Sequence, residues 1–218
     1  GVTYWEEGND KRILLTAGDK LFALNALTGI PIPSFGNNGW ISMNVGMRGD
    51  PSKISVIPTS PGIVFRNLLI IGNEVSELYG AEPGYVRAYD IKSGKLEWTF
   101  HTVPKPGEFG YDTWPKDAWK YAGGANNWGG MSLDEKRGMV FFATGSPTYD
   151  YYGKDRIGMN LFGNSVVALD AATGKYKWHF QTVHHDLWDY DLPAPPNLIT
   201  VVHKGKKIDA VAQTSKLG

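Results

Sequence analysis

The stretch HHDLWDYDLPAPP, residues 184–196, concentrates the side-chain types that acid–base chemistry uses. Two histidines and three aspartates, Asp186, Asp189 and Asp191, stand beside Trp188 and three prolines. A carboxylate in a partly dry pocket can act as a general base. The same residues could instead form a rigid, proline-braced turn whose acids cap backbone amides. Local composition leaves both interpretations open, so the elements around the stretch must decide between them.

The overall composition excludes several classes of protein. Because 22 basic and 22 acidic residues give zero formal net charge, nothing indicates nucleic acid or an anionic membrane surface as a partner. The chain has no cysteine, which excludes a disulfide scaffold, a thiolate metal site and a thiol nucleophile. No apolar run approaches the roughly 20 residues of a membrane span. The chain begins with Gly1 and shows no signal peptide, so we expect residues 1–218 to be part of a domain truncated at both ends.

One phrase recurs along the chain. It reads FALNALTGI at 22–30, VRAYDIKSGKLEWTF at 86–100 and VVALDAATGKYKWHF at 166–180. The pattern predicts a hairpin in which glycine supplies the positive φ of the turn and the second strand ends in aromatic residues. The tryptophan gives each unit an apolar face that only a neighbouring unit can bury. We therefore predict an all-β fold, a β-propeller of four-stranded antiparallel blades docked by tryptophans, with about three blades of a larger ring.

The segments between the repeats are predicted to be strands and one long loop. KISVIPTS at 53–60, GIVFRNLLIIG at 62–72 and GMVFFATG at 138–145 are typical of strands. The segment 104–127, rich in proline, glycine and tryptophan, predicts a long loop with a short helix around 115–121.

An acidic loop follows the strand at 63–72. Its sequence GNEVSELYGAEPG carries Glu74, Glu77 and Glu82 without balancing bases. Any one of these acids could simply be solvated. Hard divalent cations nevertheless require carboxylate oxygens, so the loop is a candidate metal site.

Two further loops and one lysine could bind a ligand. In GGANNWGGMSLD, at 123–134, glycine pairs leave the indole of Trp128 open, either to another backbone or to a flat ligand. The strand 139–145 ends in a sharp GSPT exit that presents oxygen atoms, and the run QTSK delivers Lys216. In a propeller such loops collect at one end of the central channel, where a ligand binds.

Together these segments resemble the pyrroloquinoline-quinone (PQQ) dependent dehydrogenases, eight-bladed propeller quinoproteins, and especially their glucose dehydrogenase branch. The resemblance spans nearly the whole chain. It rests on AGDKLFALNALTGIPIPSFGNNG (17–39), EPGYVRAYD (82–90), LFGNSVVALDAATGKYKWHFQTVHHDLWDYDLPAPP (161–196) and Lys216. HHDLWDYDLPAPP is a specific signature, whereas ALDAATGKYKW also occurs in propellers that carry no cofactor.

By position, the resemblance implies a role for several residues. Asp189 matches the catalytic aspartate, and Trp128 matches the tryptophan that stacks under the quinone rings. Lys216 fits the lysine that contacts the quinone oxygens, and Thr59 matches a threonine that hydrogen-bonds a cofactor carboxylate. We expect the two histidines of the signature to orient its loop, its other acids to shape the turn, and its tryptophan and prolines to brace it.

The resemblance also implies a cation site for Ca²⁺ or Mg²⁺. In the related methanol and ethanol enzymes a glutamate and an asparagine hold Ca²⁺ against the quinone. Glu77 falls in register with that glutamate, and Ser146 stands where those enzymes have the asparagine. Serine is a poorer cation ligand than an amide carbonyl. Either Ser146 contributes weakly, or the cofactor, water and acids hold the ion.

The implied activity is oxidation of a sugar or polyol hydroxyl. Asp189 would take the proton while hydride passes to PQQ, with the cation as Lewis acid. Electrons would continue to ubiquinone or cytochrome c, and the implied compartment is the periplasm, with attachment to the inner membrane through segments outside this chain. Three alternatives stay open: a non-catalytic propeller scaffold, an alcohol-oxidising quinoprotein, and a decayed relative without its metal site.

Overall fold

The computed structural model describes residues 1–217 and consists of strands with three short 3₁₀ turns. Three four-stranded antiparallel sheets follow one another along the chain, and a two-stranded hairpin follows the third. Within residues 1–217 no helix is long and apolar enough to cross a bilayer. The strands are β1 (Val2–Glu7), β2 (Asp10–Ala17), β3 (Lys20–Asn25), β4 (Trp40–Ser42), β5 (Ile63–Phe65), β6 (Leu68–Ile71), β7 (Val86–Asp90), β8 (Leu96–Phe100), β9 (Met131–Asp134), β10 (Met139–Ala143), β11 (Ser165–Asp170), β12 (Tyr176–Gln181), β13 (Asn197–His203) and β14 (Lys206–Ala212).

Each four-stranded sheet is a propeller blade made of consecutive strands. The first blade comprises β1–β4, the second β5–β8 and the third β9–β12. The predicted all-β fold with four-stranded antiparallel blades is therefore confirmed.

The two complete repeats form equivalent hairpins, β7–β8 and β11–β12. Gly94 and Gly174 take positive φ angles of 77° and 68° at the turns. The carboxylates of Asp90 and Asp170 accept hydrogen bonds from backbone N–H groups three residues later. Both hairpins also contain a register shift at the same place in the repeat. The repeated phrase thus encodes one local structure twice.

The second and third blades pack through Trp98, the tryptophan of the second repeat. Trp98, in the second blade, is only 8% exposed and belongs to an apolar cluster that includes Phe142 and Leu169 of the third blade. A Cβ atom at Gly174 would lie 2.6 Å from the Trp98 ring, so the third blade needs glycine there. Trp178, the equivalent residue of the third blade, lines a groove of about 670 Å³ against β13 and β14.

One predicted strand is wrong. Residues 53–60 form no strand; Ile57 alone makes an isolated bridge to Glu74. The apolar residue beside it, Val56, is fully buried although its segment joins no sheet ladder. Burial therefore accounts for Val56, whereas Ile57 is 42% exposed and makes only the single bridge.

The remaining connecting segments agree with prediction more closely. Residues 62–72 contain the hairpin β5–β6, with Arg66 at a positive φ in its turn. The segment 104–127 is a loop, as predicted. It contains two 3₁₀ turns, Tyr111–Thr113 and Ala118–Lys120, in place of one helix at 115–121.

Candidate functional site

A cavity of about 300 Å³ lies where the loops of the second and third blades meet the segment after β14. Five carboxylates and one ammonium group line it, together with one indole and several small polar side chains. The lining residues are Glu74, Val75, Ser76, Glu77, Asn126, Trp128, Ser146, Thr148, Asp150, Asp189, Asp191 and Lys216. Five residues proposed from the sequence therefore converge here: Asp189 for catalysis, Trp128 and Lys216 for the cofactor, and Glu77 and Ser146 for the cation.

Asp189 is held in a fixed orientation by Lys216. The Lys216 Nζ atom donates to Asp189 Oδ2 at 2.7 Å and to the Asp189 carbonyl oxygen at 2.8 Å. Asp189 itself has a φ of 56°, in the left-handed region that aspartate tolerates better than most residues. Partial burial alone would lower the pKa of Lys216. The hydrogen bond to Asp189 and the nearby charges of Asp191 and Asp189 outweigh it, so the pKa is raised.

Asp186 shapes the turn that carries Asp189. It is 1% exposed, and its carboxylate accepts the backbone N–H groups of Trp188 at 3.0 Å and Tyr190 at 2.7 Å. The side-chain amide of Asn164 donates to the same carboxylate at 3.0 Å. The structuring role predicted for this acid is confirmed. The bracing role predicted for Trp188 is wrong, because that side chain is 70% exposed.

Asp191 lies in the cavity and fixes the indole of Trp128. Trp128 Nε1 donates to Asp191 Oδ2 at 3.0 Å, and the Ser146 N–H donates to Asp191 Oδ1 at 2.6 Å. Burial raises the pKa of Asp191 against these hydrogen bonds, and the charge of Asp189 adds to the rise. The sequence interpretation, which limited Asp191 to shaping the turn, missed this contact because the two residues are far apart in the chain.

The glycines around Trp128 allow other backbone segments to approach closely. A Cβ at Gly129 would lie 2.5 Å from the Pro193 carbonyl oxygen, and one at Gly124 would lie 2.4 Å from that of Ser146. Of the two interpretations open from the sequence, contact with another backbone therefore accounts for these glycines. The Trp128 indole still lines the cavity, so it remains available to a flat ligand.

The acids predicted for a cation site divide into two groups. Glu74 and Glu77 line the cavity. Glu82 lies outside it, accepts the Gly49 N–H at 3.0 Å and stands 3.9 Å from Arg48.

Ser146 lines the cavity, but its oxygens already have partners. Its hydroxyl donates to Asp186 and accepts from Asn164 at 3.2 Å, and its carbonyl accepts the Ala125 N–H at 2.9 Å. Within residues 1–217, no three acidic or histidine side chains converge on one point as a preformed metal cage.

One acidic residue that lines the cavity, Asp150, was not singled out from the sequence. It follows the predicted GSPT exit of β10, in the tyrosine-rich run TYDYYG. Asp150 is 5% exposed. The pKa of its carboxyl is raised to about 7, chiefly by burial and then by the charges of Glu77, Asp189 and Asp191, against the opposing charge of Arg156. The only sequence signal of Asp150 is its position just after a predicted strand exit.

The other predicted residues lie beside the cavity. The Thr59 hydroxyl donates to the Trp128 carbonyl at 3.2 Å, and Thr59 does not line the cavity. His185 Nδ1 lies 3.1 Å from both the Gly158 carbonyl oxygen and Asn160 Oδ1, which confirms the orienting role expected of it. His184 is exposed.

A sequence model of the PQQ family described as "Glucose/ethanol/alcohol dehydrogenase, beta-propeller domain" matches residues 1–218. The chain belongs to this family. The PQQ-family chain is 35% identical over 215 residues to quinoprotein glucose dehydrogenase A of Acinetobacter calcoaceticus, covering 95% of this chain and 26% of that protein. It is 33% identical over 231 residues to the glycerol dehydrogenase large subunit of Gluconobacter oxydans, covering all of this chain and 30% of that protein.

A solved structure agrees with these relatives. The quinohemoprotein alcohol dehydrogenase from Comamonas testosteroni superposes with a TM-score of 0.81 at 28% identity, covering 99% of this chain and 32% of that one. The PQQ-family chain thus spans about a quarter to a third of the proteins it matches. The predicted family is confirmed.

Proposed function

We propose that the full-length protein is a PQQ-dependent dehydrogenase that oxidises a hydroxyl group of a sugar or polyol, with Asp189 as general base. The convergence of Trp128, Asp189, Lys216 and Glu77 on one cavity carries this proposal. The family resemblance suggested a role for each of these residues, and their side chains line one cavity of about 300 Å³.

The residues present fit the cofactor. When bound, PQQ supplies a hydride acceptor, and a divalent cation beside it stabilises the negative charge that develops. The flat indole of Trp128 offers a stacking surface whose orientation is fixed by Asp191. Lys216 supplies a cationic donor for quinone oxygens, and the excess of carboxylates over bases suits a divalent cation.

Asp189 is placed to accept the hydroxyl proton. A hydroxyl group must lose its proton as hydride leaves its carbon, and a positioned carboxylate accelerates such transfers by about 10²–10⁴-fold. Lys216 and the turn built on Asp186 fix where the Asp189 carboxylate points. Preorganisation of this kind limits the reorganisation needed during the reaction.

The glucose dehydrogenase relatives guide the remaining assignments. We assign Ca²⁺ or Mg²⁺ as the cation, a sugar or polyol as substrate, and ubiquinone or cytochrome c as electron acceptor. We assign the periplasm as the compartment, with the inner membrane as the site of attachment. The similarity to a glucose dehydrogenase and to a glycerol dehydrogenase subunit supports a polyhydroxylated substrate.

Titration of the full-length protein with PQQ and Ca²⁺ tests the proposed function. We expect a saturable change in quinone absorbance, followed by dye reduction that is faster with sugars and polyols than with simple alcohols. Faster reduction with simple alcohols would favour the alcohol-oxidising alternative. Failure of PQQ to change its absorbance would leave a non-catalytic propeller.

Replacing Gly145 by alanine should weaken PQQ binding without touching the cavity directly. A Cβ at Gly145 would lie 2.7 Å from Asp191 Oδ1, so it would displace the carboxylate that holds the Trp128 indole. We expect the dissociation constant for PQQ to rise roughly tenfold, or about 1.4 kcal/mol, as measured by absorbance titration.

An Asp191→Ala background provides the control for Gly145→Ala. Since the displaced carboxylate is then absent, adding Gly145→Ala should change PQQ affinity little further. If Gly145→Ala lowers PQQ affinity equally in both backgrounds, its effect does not depend on the Asp191 carboxylate.

A further inference from the structure

Asp150 is a buried carboxylate that has no partner among residues 1–217. It is 5% exposed and lines the cavity. Within residues 1–217, no donor group forms a hydrogen bond or an ion pair with its carboxylate. Burying a charge without a partner is costly, so such a group in a native site calls for a ligand.

The nearby cationic side chains are committed elsewhere. Arg156 uses its Nη atoms on the carbonyl oxygens of Tyr149 and Asp186 and on the side-chain oxygen of Asn160. Lys216, the one base that lines the cavity, binds Asp189.

The neighbouring aspartates differ from Asp150 in having partners. Asp189 accepts from Lys216, and Asp191 accepts from a backbone N–H and from the Trp128 indole. Glu77 lines the same cavity, and among residues 1–217 neither its carboxylate nor that of Asp150 forms an ion pair. Glu77 and Asp150 are therefore two lining carboxylates without a cationic side chain as partner.

We propose that Asp150 is a direct ligand of the divalent cation, together with Glu77, and that it takes the place expected of Ser146. The inference rests on the proposed function. Ser146 is a poor candidate because its hydroxyl and carbonyl oxygens already have hydrogen-bond partners. Ca²⁺ takes six to eight oxygen ligands, so water and the bound cofactor complete the shell around the two carboxylates.

Calcium binding to the full-length protein, with and without PQQ, tests this assignment. Isothermal titration with Ca²⁺ should show at least a tenfold higher dissociation constant for Asp150→Asn than for wild type. Asp150→Asn should also lose the rise in melting temperature that Ca²⁺ gives to the wild-type protein. Without Ca²⁺, the variant should melt at or above the wild-type temperature, because an uncompensated buried carboxylate has been removed. A residue with a purely structural role would instead give a lower melting temperature and an unchanged calcium affinity.

Two matched variants sharpen the assignment. Glu82→Gln removes an acid of the same loop as Glu77 but outside the cavity, and should leave calcium affinity unchanged. Ser146→Ala should change calcium affinity less than twofold. Wild-type affinity in Asp150→Asn, a large loss in Ser146→Ala, or no calcium binding by the wild-type protein with or without PQQ would overturn the proposal.

The two proposals can fail separately. If PQQ changes its absorbance and dye is reduced while Asp150→Asn binds calcium as wild type does, only the ligand assignment fails. If PQQ does not bind while calcium binding depends on Asp150, the ligand assignment stands and the proposed function fails.

Discussion

Asp189→Asn in the PQQ-loaded full-length protein should reduce turnover at saturating substrate by at least about 100-fold. Asparagine has nearly the same shape as aspartate but cannot accept the hydroxyl proton as a carboxylate does. Its side-chain oxygen can still face Lys216, so the loop should keep its conformation. Turnover is to be measured by dye reduction and divided by the fraction of protein that carries PQQ, as read from quinone absorbance.

Asp170→Asn is the matched control for this experiment. It makes the same chemical change in a hairpin turn away from the cavity, where Asp170 accepts backbone N–H groups. We expect its turnover per bound PQQ to equal that of the wild type. If Asp189→Asn retained most of its turnover, another group would have to be the base.

Trp98→Ala should cause the largest loss of stability among substitutions outside the cavity. Removing a buried tryptophan typically costs about 3–5 kcal/mol, and Trp98 fills the contact between the second and third blades. The apparent melting temperature of the full-length protein should fall by about 2–3 °C, because the entropy of unfolding of so long a chain is large. Trp98→Phe keeps an aromatic ring, so its melting temperature should fall less than that of Trp98→Ala.

A double-mutant cycle with Gly174→Ala tests the same contact from the opposite blade. Alone, Gly174→Ala combines a clash with the Trp98 ring and the cost of a side chain at positive φ. In the Trp98→Ala background the clash disappears, and only a backbone cost of about 1–2 kcal/mol remains. If the losses of stability in the two single variants add up in the double variant, Trp98 and Gly174 do not interact.

The repeated hairpins were predictable because their determinants are local. Asp90 and Gly94 act within one turn between two strands, so their spacing alone specifies the hairpin. Residues 53–60 show the limit of such patterns. Whether that segment joins a sheet depends on pairing with strands that are distant in sequence. Within it, only Ile57 makes such a pair, as an isolated bridge.

Site residues could be predicted from the sequence where they align with residues of known role in the family. They could not be predicted where their role depends on contacts between distant segments. Trp128, Asp189 and Lys216 were expected together and do share a cavity. The bond from the Trp128 indole to Asp191 depends on how the third blade brings two distant segments together. The isolation of Asp150 likewise depends on which partners its neighbours Arg156 and Lys216 take, which no local pattern specifies.

Because each blade is made of consecutive strands, the order of synthesis should govern when the cavity appears. Domains and repeats can fold as they emerge from the ribosome, so the three blades described here can form before β13 has been translated. Lys216 follows β14 and is translated after the other lining residues found within residues 1–217. A nascent chain stalled before Lys216 would hold these three folded blades beside an unfinished binding site. We therefore expect the cofactor to enter only after synthesis has passed this point.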